Sequence, residues 1–367
     1  MSLKARLNFS KYQIVVGILV NFRIILIYTA SQRLDSSRHI VISGCDSGFG
    51  RDIAIRLASQ GLTVHAGCLT EEGAKDLVEQ FKSATTKINH SNQTNGSNLR
   101  TFCLDVTNDE SVKNGADHVA KSLHPSGLWA IVCNAGVPGS NMPDAMNTIE
   151  DFQRTMNVNF FGMVRMVHAF GHLMNNSIGG RIVIMASKLG LHRDPYALPY
   201  VASKHAVIGY AEGLRLELGF SRVKVITICP GFHRTQLVDI QEISRKMQSR
   251  WQTFSPALQT RYITGVSHEQ NGFCHNEIRE PEGLPEKVRK KMRFIQRSIK
   301  HFSNFNEHHR VVDAYEHAVV SRCPSLTYHV GVDANVRRPM LMYSAEGRHV
   351  VGLLFRILFR DSLNDLI

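Results

Sequence analysis

No CxxC pair and no metal-ligand spacing occurs in this chain, and its seven cysteines (Cys45, Cys68, Cys103, Cys133, Cys229, Cys274 and Cys323) are scattered along it. That pattern argues against a structural zinc site and against a disulfide framework. Internal repeats are absent too. Forty-three basic residues against 31 acidic ones leave a net charge of +12, a balance that attracts nucleic acid, anionic lipid or acidic small molecules. No aromatic-rich stretch accompanies the basic residues, so nucleic acid is not expected as a partner. The densest basic stretch is residues 287–293, with Arg297 and Lys300 following. It reads either as a solvated helix face or as a surface for membrane phospholipid.

Long apolar runs are scarce. Only residues 12–30, nineteen in all, approach the roughly 20 residues needed to cross a bilayer. Asn21 and Arg23 interrupt the run, and a mid-membrane arginine costs about 2.5 to 3.5 kcal/mol. No small-residue cleavage site follows it, so an uncleaved anchor is expected, with an interfacial or a targeting segment as the alternatives. Lys4, Arg6 and Lys11 before the run and Arg33 and Arg38 after it leave the orientation open. Residues 350–360 are apolar with interspersed arginines; they read as a helix docked on the membrane, on the domain or on a partner subunit, which leaves a homodimer open. The polar stretch 83–98 reads as an exposed loop. It carries glycosylation sequons at Asn89, Asn92 and Asn95, which matter if the domain is lumenal.

Strand-like runs at 39–43, 62–68, 99–104, 129–133, 181–186, 223–229 and 327–330 alternate with longer helical stretches. Alternation of this kind predicts an α/β fold with a doubly wound, parallel, Rossmann-type sheet. The chain is long enough for one large domain, placed at 38–335 between an N-terminal anchor and linker (1–37) and a C-terminal apolar extension (336–367).

Directly after the first strand comes Gly44-Cys-Asp46-Ser47-Gly48-Phe49-Gly50. The spacing is GxxxGxG; its glycines let the backbone turn tightly and approach a pyrophosphate at the start of the next helix. Farther on, Tyr200 and Lys204 stand four apart on a predicted helix, where their side chains share a face. An ammonium beside a phenol favours the phenolate, lowering a reference pKa of about 10 toward a value useful for proton exchange. Ser187, thirteen positions before Tyr200, supplies a hydroxyl that can orient the same substrate oxygen.

These elements resemble the short-chain dehydrogenase/reductase family. In the family's order stand the glycine motif, Leu104-Asp105-Val106, Asn134-Ala135-Gly136, Asn159, Ser187 with Tyr200 and Lys204, and then Pro230-Gly231 with Thr235. The resemblance covers about residues 38 to 335 and is nearest to the membrane-associated retinol and hydroxysteroid dehydrogenases. It implies Tyr200 as general acid/base, Ser187 as anchor of the substrate oxygen, Lys204 as the cation that lowers the phenol pKa and binds ribose, and Asn159 as organiser of a relay water. Asp105 is expected at the adenine edge, and Cys133 stands where the family has a further asparagine.

At the end of the second strand stand Cys68 and Leu69, with no basic residue, while Asp46 lies in the glycine loop. A carboxylate repels a 2'-phosphate, so NAD is expected over NADP. Residues 236–306 are expected to cover the site and contain Trp251, Phe254, Tyr262, Phe273, Phe294, Phe302 and Phe305, an apolar lid suited to a lipophilic alcohol or carbonyl substrate. A membrane-associated enzyme of the endoplasmic reticulum is implied, with mitochondria as the alternative. The competing readings are a 3-hydroxybutyrate-type dehydrogenase and a catalytically idle membrane-bound scaffold.

Overall fold

The computed structural model describes residues 36–88, 98–140, 144, 147–175, 179–192, 197–231, 245, 248–257, 259 and 308–331. Outside them lie the apolar run 12–30, the three sequons, Thr235, most of the expected lid, the basic stretch 287–300 and residues 350–360. Among the described residues no helix is long and apolar enough to cross a membrane.

Seven strands form one sheet: β1 (His39–Ser43), β2 (Thr63–Cys68), β3 (Leu99–Cys103), β4 (Leu128–Cys133), β5 (Gly180–Met185), β6 (Val223–Pro230) and β7 (Thr327–Val330). Their order is β3-β2-β1-β4-β5-β6-β7, and all neighbours run parallel. The expected alternation is therefore met, with strand ends within one residue of the sequence reading.

Side chains alternate across each strand, so the apolar runs feed two cores. Ile40 and Ile42 of β1 join Ile53 and Leu57 of α1 (Gly48–Ser59), Leu77 of α2 (Glu71–Ile88) and Val311, Tyr315 and Val319 of α7 (His308–Val320). Val41 points to the other face. It meets Val112 of α3 (Asp109–Ala120), Met166 and Phe170 of α5 (Gly162–Gly171) and Val207 of α6 (Leu198–Glu217). Helix α4 (Ile149–Met156) opens with a capping box between Thr148 and Asp151, and runs into α5 through a π-helical turn, Asn157–Phe161.

The sheet order reverses beside β1, where the chain goes outward to β3 and returns to β4. Loops leaving the carboxyl ends of β1 and β4 therefore part around a crevice, the usual ligand position in an open parallel sheet. At the opposite end of β4 the Trp129 ring takes the Arg38 and Arg181 guanidiniums at 4.2 and 4.8 Å from its centroid. Its Nε1 donates to the Val319 carbonyl at 3.0 Å, which ties the end of α7 to the sheet.

Candidate active site

The crevice begins where β1 stops. Gly44 turns the chain at φ +71°, a left-handed conformation that glycine adopts without strain, and it packs against Ala135: a side-chain carbon here would stand 2.8 Å from the Ala135 Cα. At Gly50 an added carbon would meet the Gly44 carbonyl oxygen at 2.2 Å and Asn134 Nδ2 at 2.5 Å. The glycine motif and the Asn134-Ala135-Gly136 motif are thus two walls of one structure. Asn134 Nδ2 donates to the Ser43 and Gly44 carbonyls, each at 3.1 Å, and Ser43 Oγ accepts from the Asn134 and Ala135 amides at 3.1 and 3.2 Å.

At Gly48, φ +59°, a side-chain carbon would find no protein atom within 4 Å. The space above the loop is open. No acidic residue occupies the first turn of α1, so the backbone N–H groups there suit an anion. This cradle fits the pyrophosphate of a dinucleotide.

Asp46 leaves the loop toward the end of β2, where its carboxylate accepts from the Leu69 and Thr70 amides at 2.9 and 3.0 Å and from Thr70 Oγ1 at 3.1 Å. Gly73 leaves room for it, since a carbon there would stand 2.5 Å from Asp46 Oδ1. Cys68 is fully buried, and loss of water pushes its thiol up to about 12. Its side chain therefore lies in the core, a correction to its expected place at the cofactor; Leu69, 58% exposed, occupies the strand-end position. Asp105 Oδ1 accepts from the Thr107 amide and hydroxyl at 2.8 and 2.7 Å, holding its own turn beside Val106. Gly231, following Pro230, donates its amide to the Val330 carbonyl at 2.8 Å.

The π-helical turn places Asn159, which is 2% exposed. Such turns insert one residue into a helix and swing a side chain out of the regular ladder. Asn159 Oδ1 accepts from the Val137 amide at 2.7 Å, while Nδ2 donates to the Val137 carbonyl and to Ser203 Oγ, both at 3.0 Å. Ser203 Oγ in turn donates to the Tyr200 carbonyl at 2.8 Å. Both amide hydrogens are taken, so only acceptor capacity remains for a water.

Ser187 follows β5 in extended conformation, where its Oγ accepts from the Leu189 amide at 3.1 Å and shares a hydrogen bond with the Tyr200 phenol. Lys204 is 2% exposed; its Nζ donates to the Met185 carbonyl at 2.8 Å and lies 5.6 Å from the Tyr200 ring centroid. The expected lowering of the phenol pKa is not met. Loss of water pushes Tyr200 up to about 12, opposed only by the Ser187 hydrogen bond, while burial brings Lys204 down to about 8. The physical reason is burial, which removes the water that would solvate a phenolate and outweighs the hydrogen bond from Ser187.

Sequence reasoning missed Ser43, Ser203 and Tyr315. Tyr315 sits on the apolar face of α7, where its spacing signals only a core residue, yet its hydroxyl donates to Asn134 Oδ1 at 3.0 Å. Of the expected lid, a short piece is described. Arg250 donates to Asp151 at 2.7 Å, and Trp251, 8% exposed, meets Phe254 edge-on at 6.4 Å. Among the described residues no group of three His, Cys, Asp or Glu is placed to hold a metal ion.

A 3beta-hydroxysteroid dehydrogenase of Caenorhabditis elegans is 34% identical over 301 residues, 82% of this chain and 70% of that protein. Retinol dehydrogenase 5 of Mus musculus is 31% identical over 301 residues, 82% of this chain and 83% of its own. Among solved structures, a Shigella flexneri protein assigned to the short chain dehydrogenases and complexed with NADP superposes with a TM-score of 0.50 at 25% identity. That likeness covers 62% of this chain and 87% of the other. The family model described as short chain dehydrogenase matches residues 38–245, more than half of the chain, and holds the glycine cradle together with Asn159, Ser187, Tyr200 and Lys204: the chain belongs to the short chain dehydrogenase family.

Proposed function

We propose that this enzyme uses NAD to interconvert a lipophilic alcohol, of retinoid or hydroxysteroid type, and its aldehyde or ketone. The observation that carries the reading is the convergence of Ser187, Tyr200, Lys204 and Asn159 on one side of the glycine cradle. Gly44, Ser47, Gly48, Phe49 and Gly50 would hold the pyrophosphate, Asp105 and Val106 the adenine edge, and Asn134, Ala135 and Gly136 the inner wall. Lys204 would meet a ribose, and Pro230, Gly231 and Thr235 the remaining contacts. When bound, the dinucleotide supplies the hydride acceptor.

Within that frame Tyr200 exchanges a proton with the substrate oxygen, taking it from the alcohol in oxidation and returning it in reduction. Burial works against the phenolate. Below about 8 Lys204 is protonated, and a positive charge over the face of the ring works against the cost of burying a phenolate. Ser187, already hydrogen-bonded to the phenol, sets a second hydroxyl against the same substrate oxygen. Asn159 braces the Val137 backbone and, through Ser203, the start of the Tyr200 helix.

NAD is favoured over NADP by the Asp46 carboxylate fixed at the Leu69 edge, with Cys68 and Leu69 rather than a basic residue at the end of β2. Arg51, whose charge reaches the Cys68 thiol, is ion-paired with Asp76 at 2.8 Å. The names of the relatives and the buried Trp251 support an apolar substrate. The apolar run 12–30 supports attachment to a membrane, with the endoplasmic reticulum as the compartment.

The test is steady-state NADH formation by the full-length chain against retinoids, hydroxysteroids and short 3-hydroxy acids. Turnover of retinoids or steroids is expected. Turnover confined to short hydroxy acids would move the enzyme to the 3-hydroxybutyrate type, and none with any alcohol would leave a binding protein.

A further inference from the structure

Helix α7 reaches the glycine cradle at two points. Near its start His308 stacks on Phe49, ring centroids 4.4 Å apart and planes 28° apart, and pairs with Asp52. Two turns later Tyr315, fully buried, donates to Asn134 Oδ1 at 3.0 Å. This second contact acts on the cradle through the other end of the same amide. Asn134 Nδ2 spans the Ser43 and Gly44 carbonyls, each at 3.1 Å, and Gly50 is packed so closely on that amide that no side chain fits between them.

A phenol hydroxyl facing the oxygen end of an amide obliges the NH2 end to face the other way. Loss of water pushes the Tyr315 phenol well above the usual tyrosine range, so it remains a protonated donor at any working pH. We propose that Tyr315 is a positioning residue for the dinucleotide: its phenol orients the Asn134 amide and thereby fixes the loop of residues 43–50 on which the cofactor rests. The inference depends on reading that loop as the dinucleotide cradle.

In the full-length protein Tyr315→Phe removes one oxygen and keeps the ring. The Kd for NADH, measured by calorimetry, is expected to rise on the order of 5- to 30-fold, as when a buried polar group loses its partner. At saturating dinucleotide, kcat and the substrate KM are expected to stay within about twofold, because nothing at the reacting oxygen has changed. Hydrogen exchange should accelerate at the amides of residues 44–50 and not in β5. In an Asn134→Ala background Tyr315→Phe should add no further loss, since the two act through one contact.

Unchanged NADH affinity together with unchanged exchange overturns the proposal. So does a fall in kcat at saturation, or a double variant whose losses simply add. If the unmodified chain binds neither NADH nor NADPH, the cradle reading itself has failed; exchange at residues 44–50 then decides alone whether the phenol braces the loop.

Discussion

Tyr200 carries a phenol that its surroundings make less acidic, with burial pushing it up to about 12, and the proposed acid/base role requires that trend to be reversed once the site is filled. Tyr200→Phe removes the transferable proton and leaves the ring on Lys204. Turnover is expected to fall by about 100- to 10,000-fold while NADH affinity is kept, and near-normal turnover would exclude Tyr200 as the acid/base. At the other end of the site Leu69 offers a cleaner handle on cofactor choice than Asp46, whose carboxylate also clasps the loop after β2. Leu69→Arg, at an exposed position, puts a cation where a 2'-phosphate would lie. Its NADP affinity, measured by calorimetry, should rise relative to NAD, by about 1 kcal/mol for a charge pair in water-like surroundings at 4 Å; tighter NADP binding by the unmodified chain would refute the NAD assignment.

Strands β1 and β2 carry a feature that bears on stability. His39 Nδ1 and His65 Nε2 are 3.0 Å apart, both residues are buried, and Arg100 adds positive charge near both. Burial lowers His39 to about 4 and His65 to about 3. A depressed folded pKa means the unfolded chain binds more protons, so stability rises with pH across this window. The melting temperature should therefore fall as pH drops below about 6.5, the ordinary imidazole pKa. Between pH 7 and 5, where most carboxylates stay ionised, the double change His39→Leu and His65→Leu is expected to flatten that slope, and an unaltered slope would assign it elsewhere. Such pairs were not legible in the sequence, because register places them side by side: His39 stands opposite Thr63, two residues from His65. The strands themselves were legible, since buried parallel strands are short continuous apolar runs. Asn159 could be named from its motif, whereas its π-helical setting and its double bond to Val137 depend on how the helix packs.

At the scale of the molecule, the apolar run 12–30 bears on where the protein resides, and the last described helix and strand bear on whether it folds. Deleting residues 1–30 takes away the longest apolar run and leaves β1 intact, so the protein should pass from the membrane pellet to the supernatant while retaining turnover. Any attachment that persists should respond to salt if it comes from residues 287–300, since surface charge is screened over about 8 Å at physiological ionic strength. A full-length chain already in the supernatant at low salt would dispose of the anchor. The opposite end sets a stricter condition. Every motif by which the sequence declares its chemistry lies at or before Thr235, yet α7 and β7 follow residue 307 and supply the Trp129 acceptor, the Arg56 ion pairs with Asp313 and Glu316 and the Tyr315 phenol. A transcript truncated at residue 306 would thus still spell a complete dehydrogenase. Its product, however, would leave β6 as an open edge beside an uncovered apolar face, the kind of surface that aggregates. Such a product is expected in the insoluble fraction, without measurable NADH binding, and a soluble, NADH-binding fragment would show that the cradle stands without its C-terminal brace.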